Sequence, residues 1–305
     1  MQVPLSAALS RLLWCFWAAL LLGGTASGQI QISLQFPRST YLLNEPTVAK
    51  LTITNLAGRD LYFENSPSSG PWCQLELKNL RGGYISPNRN DVSFPPLSVP
   101  AGQSVARSVA LTEFFRLPQP GQYQLRASIR FEPTQSTFFA QSSFSADAGK
   151  LEWSQTVGVP DGRRNAGEYR TFSVISHQRS EGVFLFATLE SKSEDIRFTP
   201  FPLGRMLSAM PPQAQLDWKN NLNVFHATSD SEYILSQVDV DTGRFGQARY
   251  RSATPRGGRP SLARNDEGRL AVLGGVRITD EEIQAAKSGR VMLSDRPGIP
   301  AAAPR

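Results

Sequence analysis

Cysteine and histidine are scarce in this 305-residue sequence: there are two of each, Cys15, Cys73, His177 and His226. Cys15 sits inside an N-terminal apolar run. Cys73 is therefore the one thiol of the chain beyond that run, which excludes an intrachain disulfide there. Small domains in oxidising compartments commonly lean on disulfides, so packing has to hold this one. Cys73 then reads as a small buried hydrophobe, with intermolecular pairing as the alternative. There is no His-Glu-X-X-His and no Cys-X-X-Cys, which excludes the common zinc signatures. A Gly-X-Ser-X-Gly elbow and a phosphate-binding glycine loop are missing too. No cofactor and no metal follow from the sequence. An Asn-X-Ser/Thr sequon is also absent, and arginine outnumbers lysine. Both lean towards a bacterial exported protein.

The most informative segment is the first 28 residues. Arg11 is the only charge before Arg38, and an apolar run of 11 residues, Leu12 to Leu22, follows it. Small residues come next, Gly23-Gly-Thr-Ala26-Ser-Gly28. That is the layout of a cleaved secretory signal, too short for the roughly 20 residues that span a bilayer. The expected site is Gly28/Gln29, and the expected location is secreted or periplasmic. Loss of Arg11 takes the formal net charge from +6 to +5. No later run of 18 apolar residues occurs, so no stable membrane insertion is expected after cleavage.

Residues 29–146 read as short strands divided by turns, which points to an all-β fold. Ile30, Ile32, Leu34 and Phe36 alternate with polar residues, as do Ala49, Leu51 and Ile53. The clearest strand is Tyr123, Leu125, Ala127, Ile129 and Phe131. Val92 to Pro100 is rich in proline and reads as an edge or a loop.

The run Gly121-Gln-Tyr123-Gln-Leu125 resembles the tyrosine corner of immunoglobulin-like domains, with Leu125 at the core position usually held by cysteine and Trp72 where a strand C tryptophan would pack. Tyr41-Leu-Leu-Asn-Glu45-Pro46 followed by Leu51-Thr-Ile53-Thr-Asn55 is similar to many exported bacterial immunoglobulin-like domains, and also to proteinase-inhibitor domains of the BsuPI type. The resemblance covers about 115 residues and implies a β-sandwich over 29–146. It carries over no inhibitory residues.

Residues 147–150 read as a linker. Beyond it, 151–276 form a second β-rich region with a weak internal repeat. Pro212–Val224 and Pro260–Val272 align without gaps at a period of 48 residues. Asp217 falls on Asn265, Leu222 on Leu270 and Val224 on Val272. Together with Tyr233–Val240, the turn Asp241-Thr-Gly243 and Phe245–Tyr250, the repeat looks like β-propeller blades. A ring needs about four blades or more, and only two or so are present. Residues 277–305 read as one short helix at Thr279-Asp-Glu-Glu and a disordered Pro/Ala tail.

Candidate chemistry is thin. His177 and His226 each need a carboxylate or serine beside them to matter. Asp239-Val-Asp241-Thr-Gly243 looks like a fragment of a calcium loop, but is more simply a hairpin turn. Glu190, Glu194 and Asp195 form a local acidic cluster. Arg244, Arg249, Arg251, Arg256, Arg259 and Arg264 fall in a stretch without acids, a possible polyanion-binding stripe. The expectation is an exported, non-catalytic binding protein. Its partner would be an envelope protein, a peptide or a surface glycan, and not a nucleic acid. The loops Asn65–Pro71 and Pro87–Pro100 and the arginine stripe are the places to look. A secreted hydrolase with a site between its two domains, or a proteinase inhibitor, is the alternative.

Overall fold

The computed structural model describes residues 30–88, 93–191, 198–253, 258–267 and 269–287. The signal segment, Glu194, Asp195, Arg256 and the tail 288–305 lie outside the described residues. The chain divides into two compact units. The first runs to Ser39 and continues with Val48–Arg116 and Gln122–Phe144. The second takes Thr40–Thr47, Leu117–Gly121 and everything from Ser145 on.

The first unit is built from β1 (Ile30–Gln35), β3 (Val48–Asn55), β4 (Leu61–Phe63), β5 (Cys73–Asn79), β6 (Gly83–Ile85), β7 (Leu97–Val99), β8 (Ser104–Ala110), β9 (Gly121–Phe131) and β10 (Ser136–Asp147). One helical turn, α1 (Leu111–Phe114), follows β8. The order β1-β3-β8 makes one sheet, β10-β9-β5-β6 runs through a second, and β4-β7 is a separate ribbon. The period-two reading holds here. Tyr123, Leu125, Ala127, Ile129 and Phe131 of β9 are all buried, as are Ala49, Leu51 and Ile53 of β3. Phe63 packs between Trp72 and Phe131, with ring centroids 5.5 Å away in each case.

The expected immunoglobulin-like sandwich is not what forms. That domain divides seven antiparallel strands four against three. Here the sheets are open, and the order differs. Pro95, Pro96 and Pro100 explain part of the departure: with no N–H to give, they bracket β7, which is three residues long and pairs only with β4. Asn55 is fully buried and stitches this ribbon to β3. Its amide donates to the carbonyls of Arg59 (2.7 Å) and Val99 (2.8 Å), and its Oδ1 accepts from the Ala57 N–H (2.9 Å).

The second unit opens with β2 (Thr40–Leu42), which pairs in parallel with Ser145–Asp147, the last residues of β10. After the turn Ala148-Gly149 come β11 (Lys150–Gly158), β12 (Tyr169–Arg179), β13 (Gly182–Ser191) and β14 (Phe201–Met206), an antiparallel sheet in that order. Then β15 (Gln213–Leu216), β16 (Leu222–Ala227), β17 (Glu232–Val238) and β18 (Phe245–Ser252) form a second sheet, closed off by β21 (Gly275–Arg277). Between them, β19 (Ser261–Arg264) and β20 (Leu270–Leu273) make a two-stranded hairpin. All six residues of β16 are buried, because this strand is covered on both faces. Leu222 and Val224 join a core with Phe172, Val174, Leu185 and Leu203 of the first of these sheets. Phe225 and Ala227 point the other way, into a cluster with Leu262 of β19 and Leu270 and Val272 of β20.

The 48-residue repeat is real as local structure and wrong as architecture. Gln213↔Phe225 through Leu216↔Leu222 in one copy matches Ser261↔Leu273 through Arg264↔Leu270 in the other, register for register. Asp217 and Asn265 cap the two turns alike, each accepting a backbone N–H four residues on, from Asn221 at 2.9 Å and Arg269 at 2.8 Å. But the first hairpin continues into β17 and β18, while the second stands as its own pair. Among the described residues there are no propeller blades. The chain is a mostly antiparallel β protein of several open sheets with little helix. The helix expected after Thr279 is α2 (Asp280–Lys287). Its N-terminus carries the reciprocal bonds of a capping box: Thr279 N–H to Glu282 at 2.9 Å, and Glu282 N–H to the Thr279 hydroxyl at 3.3 Å. Among the described residues no helix is long and apolar enough to cross a membrane.

Removing the Asn55 side chain strands the buried Val99 carbonyl and frees the partly buried Arg59 carbonyl and Ala57 N–H. Asn55→Ala is expected to lower unfolding free energy by on the order of 3 kcal/mol, read by urea denaturation. A loss below about 1 kcal/mol would mean the ribbon does not depend on it.

Candidate functional site

Within the second unit, a cleft of about 520 Å³ opens at the end of the β11–β14 sheet. Its position follows from the turn that starts β11. Gly149 holds φ at +65°, and a Cβ there would stand 2.5 Å from the Ile175 side chain and 2.7 Å from the Ser176 carbonyl. Only glycine lets the chain turn this close to β12. Asp147, Lys150, Glu152, Ser176, His177 and Gln178 line the cleft with polar groups, and Val183 and Met206 are the apolar part of its lining.

Two hydrogen-bonded chains of side chains meet here. In the first, His177 is 1% exposed and its Nε2 lies 2.9 Å from Asp147 Oδ2. The other Asp147 oxygen accepts the Gly149 N–H at 2.8 Å. Arg179 Nε points at His177 Nδ1 across 3.4 Å, and its Nη2 donates to Glu45 Oε1 at 2.6 Å. Glu45 Oε2 accepts the Leu42 N–H at 3.0 Å. The Arg179 guanidinium also lies over the rings of Phe184 and Phe186, 4.5 and 5.1 Å from their centroids. An N–H aimed at Nδ1 makes that nitrogen the acceptor, which puts the ring proton on Nε2, facing Asp147. In the second chain, the Ser176 hydroxyl donates to Glu152 Oε1 at 2.6 Å, and Lys150 Nζ reaches both Glu152 oxygens at 3.1 and 3.2 Å. The Ser176 bond holds the Glu152 carboxyl below its ordinary range, burial works against this, and Lys150 adds to the lowering.

A serine, a histidine and two carboxylates thus line one cleft without forming a nucleophile–base pair. Successive strand residues face opposite sides of a sheet, and Ser176 and His177 are neighbours on β12. The serine hydroxyl goes to Glu152, and both imidazole nitrogens are engaged by Asp147 and Arg179.

His226 has a different fate. It lies on the fully buried β16, 2% exposed, and neither ring nitrogen has a partner in full hydrogen-bonding geometry, the Arg205 backbone being the polar group that approaches it. Burial pushes its pKa down to about 4, with the Arg205 backbone offsetting only part of the effect. Asp239 is spent on the turn and Asp241 on the segment Arg164-Asn165. Asp239 accepts from the Asp241 and Thr242 N–H groups, the Thr242 hydroxyl and Arg163 Nη1. Burial raises the Asp239 carboxyl, but these donors outweigh it and the net shift is downward. Asp241 accepts from the Arg164 and Asn165 N–H groups and from Asn165 Nδ2. Gly243, at φ +66°, closes the hairpin. Among the described residues no three His, Cys, Asp or Glu side chains are grouped to hold a metal ion. Cys73 is buried and free, with its thiol pushed up to about 12 by burial.

The arginine stretch is dispersed. Arg244, Arg249 and Arg259 are exposed. Arg251 meets Glu282 at 3.3 Å, and Arg264 Nη2 bonds the Leu216 carbonyl. Arg249 and Arg251 extend from the face of β18 opposite to Tyr250, whereas the β19–β20 hairpin bearing Arg264 packs on the Tyr250 side. In the loop Asn65–Pro71, Gly70 gives its carbonyl to Arg130 Nη2 at 2.5 Å, beside a smaller cleft of about 290 Å³. Much of the Pro87–Pro100 stretch is structural: Phe94 stacks on Phe114 at 5.5 Å, and Leu97 and Val99 are buried.

No protein-family model matches the chain. No curated protein matches it either. The resemblances to exported immunoglobulin-like domains, BsuPI-type inhibitor domains and propeller blades therefore have no family behind them. Among solved structures, the chain is similar to Spo0M, a sporulation control protein from Bacillus subtilis. Identity is 10%, over 86% of this chain and 94% of that one, at a TM-score of 0.26. A likeness at that level assigns neither fold nor function.

Two consequences can be measured. Arg179→Met removes the buried contact between the Arg179 guanidinium and Glu45 Oε1, at an expected cost of about 3 kcal/mol. The double variant with Glu45→Gln recovers most of it, and equal losses in both would show that the pair is not coupled. For His226, the unfolded ring takes up a proton near pH 6.5 and the folded one only near 4. The unfolded state binds more protons in that window, so stability falls as pH drops from 6.5 to 4 and then levels, by on the order of 3 kcal/mol. His226→Leu is expected to flatten this slope in denaturation curves taken across the window. An unchanged slope assigns it to other groups.

Proposed function

We propose that this is an exported, non-catalytic binding protein of the cell envelope or extracellular space, and that the cleft at the start of β11 is its ligand site. The leader, with its expected cleavage at Gly28/Gln29, supports the location. The observation that carries the reading is how the reactive side chains of the cleft are committed. His177 is held on both nitrogens by Asp147 and Arg179, and Ser176 is held by Glu152. Such groups are fixed hydrogen-bonding fixtures. An imidazole serving as general base needs a nitrogen within reach of the proton it removes, and here both are taken. A cleft with polar groups at set positions and an apolar part to its lining is the usual composition of a small recognition site.

Hydrolysis is the rival. The processed protein is expected to begin at Gln29 by intact mass, in the periplasmic or culture fraction. It should turn over ester, amide and glycoside chromogenic substrates no faster than its His177→Gln variant. Turnover that disappears in His177→Gln would replace this reading with an enzyme. Retention of the leader in a cytoplasmic product would remove the exported location.

A further inference from the structure

The cleft is continuous with the longest open edge of the second unit. β11 has nine residues and β12 is its one strand partner among the described residues. Proteins usually blunt such an edge with charge, proline, a cover or a very short strand. The other edges of this unit follow that habit. β14 carries Pro202 and Arg205 and an irregular register against β13. β15 is tied down by β19: the Leu262 N–H bonds Gln213 Oε1 at 2.7 Å and Gln215 Nε2 bonds the Leu262 carbonyl at 3.2 Å. β21 is three residues long. By contrast, Trp153 to Val157 of β11 holds neither charge nor proline, and Leu151, two positions before it, is 60% exposed; only at the far end is the strand engaged, where the Gly158 carbonyl accepts from Asn220 Nδ2 at 2.9 Å.

The single irregularity of β11 falls where the edge meets the cleft. The register against β12 skips Glu152, between Leu151 and Trp153. A bulge re-aims a side chain, and this one turns the Glu152 carboxylate onto Ser176. Together with Asp147, 47% exposed on its side chain, it gives the cleft two carboxylates. The one cation among the lining residues is Lys150. Its side chain is 77% exposed, yet its ammonium rests on both Glu152 oxygens. A flexible surface lysine that folds back into an acidic cleft marks where a ligand cation would sit. Val183 and Met206 in the same lining are suited to the aliphatic stem of a long basic side chain.

We propose that β11 takes up an extended polypeptide segment as a fifth strand of this sheet, and that a lysine or arginine of the segment displaces Lys150 and seats against Glu152 and Asp147. The proposal rests on the cleft being the ligand site. Main-chain bonds along β11 would give affinity, and the cleft would choose the side chain. Charge-assisted bonds are the strong part of such recognition.

The test uses the whole processed chain and a capped peptide of about nine residues, alternating threonine and valine around a central arginine. Two analogues accompany it, one with norleucine at the centre and one N-methylated on alternate residues. Binding is read by calorimetry, and edge occupancy by amide hydrogen exchange over 150–158. The arginine peptide is expected to bind and to protect these amides. The norleucine analogue should bind at least about tenfold more weakly, and Glu152→Gln should cost a similar factor. The N-methylated peptide should not bind. Lys150→Ala should tighten binding, since it removes the internal competitor, a gain that a structural role for Lys150 would not produce. Denaturation midpoints of both variants establish that they fold. Equal binding by all three peptides overturns the proposal, as does protection of 150–158 through self-association in sedimentation without peptide. If no peptide binds but a neutral oligosaccharide shifts the NMR signals of Ser176 and Gln178, the strand proposal fails and the cleft reading stands. If neither ligand perturbs the cleft, both fail.

Discussion

Glu45 and Arg179 meet at 2.6 Å where little solvent reaches either side chain. A charge pair so placed survives only if its remaining donors and acceptors are matched. The chain meets that condition with Leu42 N–H on the carboxylate, two aromatic faces under the guanidinium and an imidazole nitrogen beside Nε. The consequence runs outward. Arg179 orients His177, His177 holds Asp147, and Asp147 holds the Gly149 N–H that begins β11. The mouth of the cleft is therefore set by a buried electrostatic contact between residues 134 positions apart.

Behind the cleft, apolar layering supplies the rigidity. β16 is the middle of the second unit, buried on both faces between the β11–β14 sheet and the β19–β20 hairpin. This explains how His226 can persist there without a well-formed hydrogen bond. A neutral imidazole in such a place costs less than a charged one, and the low pKa expresses that preference. It also explains why the two similar hairpins end differently. One lies in the middle layer and needs neighbours on both edges, and the other caps a face.

Much of the fold was legible from local pattern. The alternation in β1, β3 and β9 located strands and their buried faces, Asp241-Thr-Gly243 located a hairpin, and Thr279 with Glu282 located a helix start. The 48-residue repeat marked two hairpins of identical register. The sheet assignments were not legible. Tyr123 and Trp72 are buried as an immunoglobulin-like domain would bury them, yet the strands around them pair in another order. Aromatic burial constrains a core, not the sequence of strands across it. The candidate site was half legible. His177 was named, but Asp147 lay in a stretch that read as linker, and nothing local joined Glu45 to Arg179. The arginines lie close together in the chain, yet the described ones share no surface: Arg249 and Arg251 extend from one face of β18, Arg264 belongs to the hairpin packed on the other, and Arg244 and Arg259 sit outside the strands.

By itself, the amino-acid order determined a chain rich in β-strands with a single thiol, Cys73, beyond its N-terminal apolar run, because side-chain alternation and thiol count are local properties. Which sheets those strands join, whether a histidine is orphaned in a core or held beside an aspartate, and which strand edge is left open were decided only by tertiary structure. Pairing and burial depend on residues tens or more than a hundred positions apart, and short-range pattern carries no information about those distances.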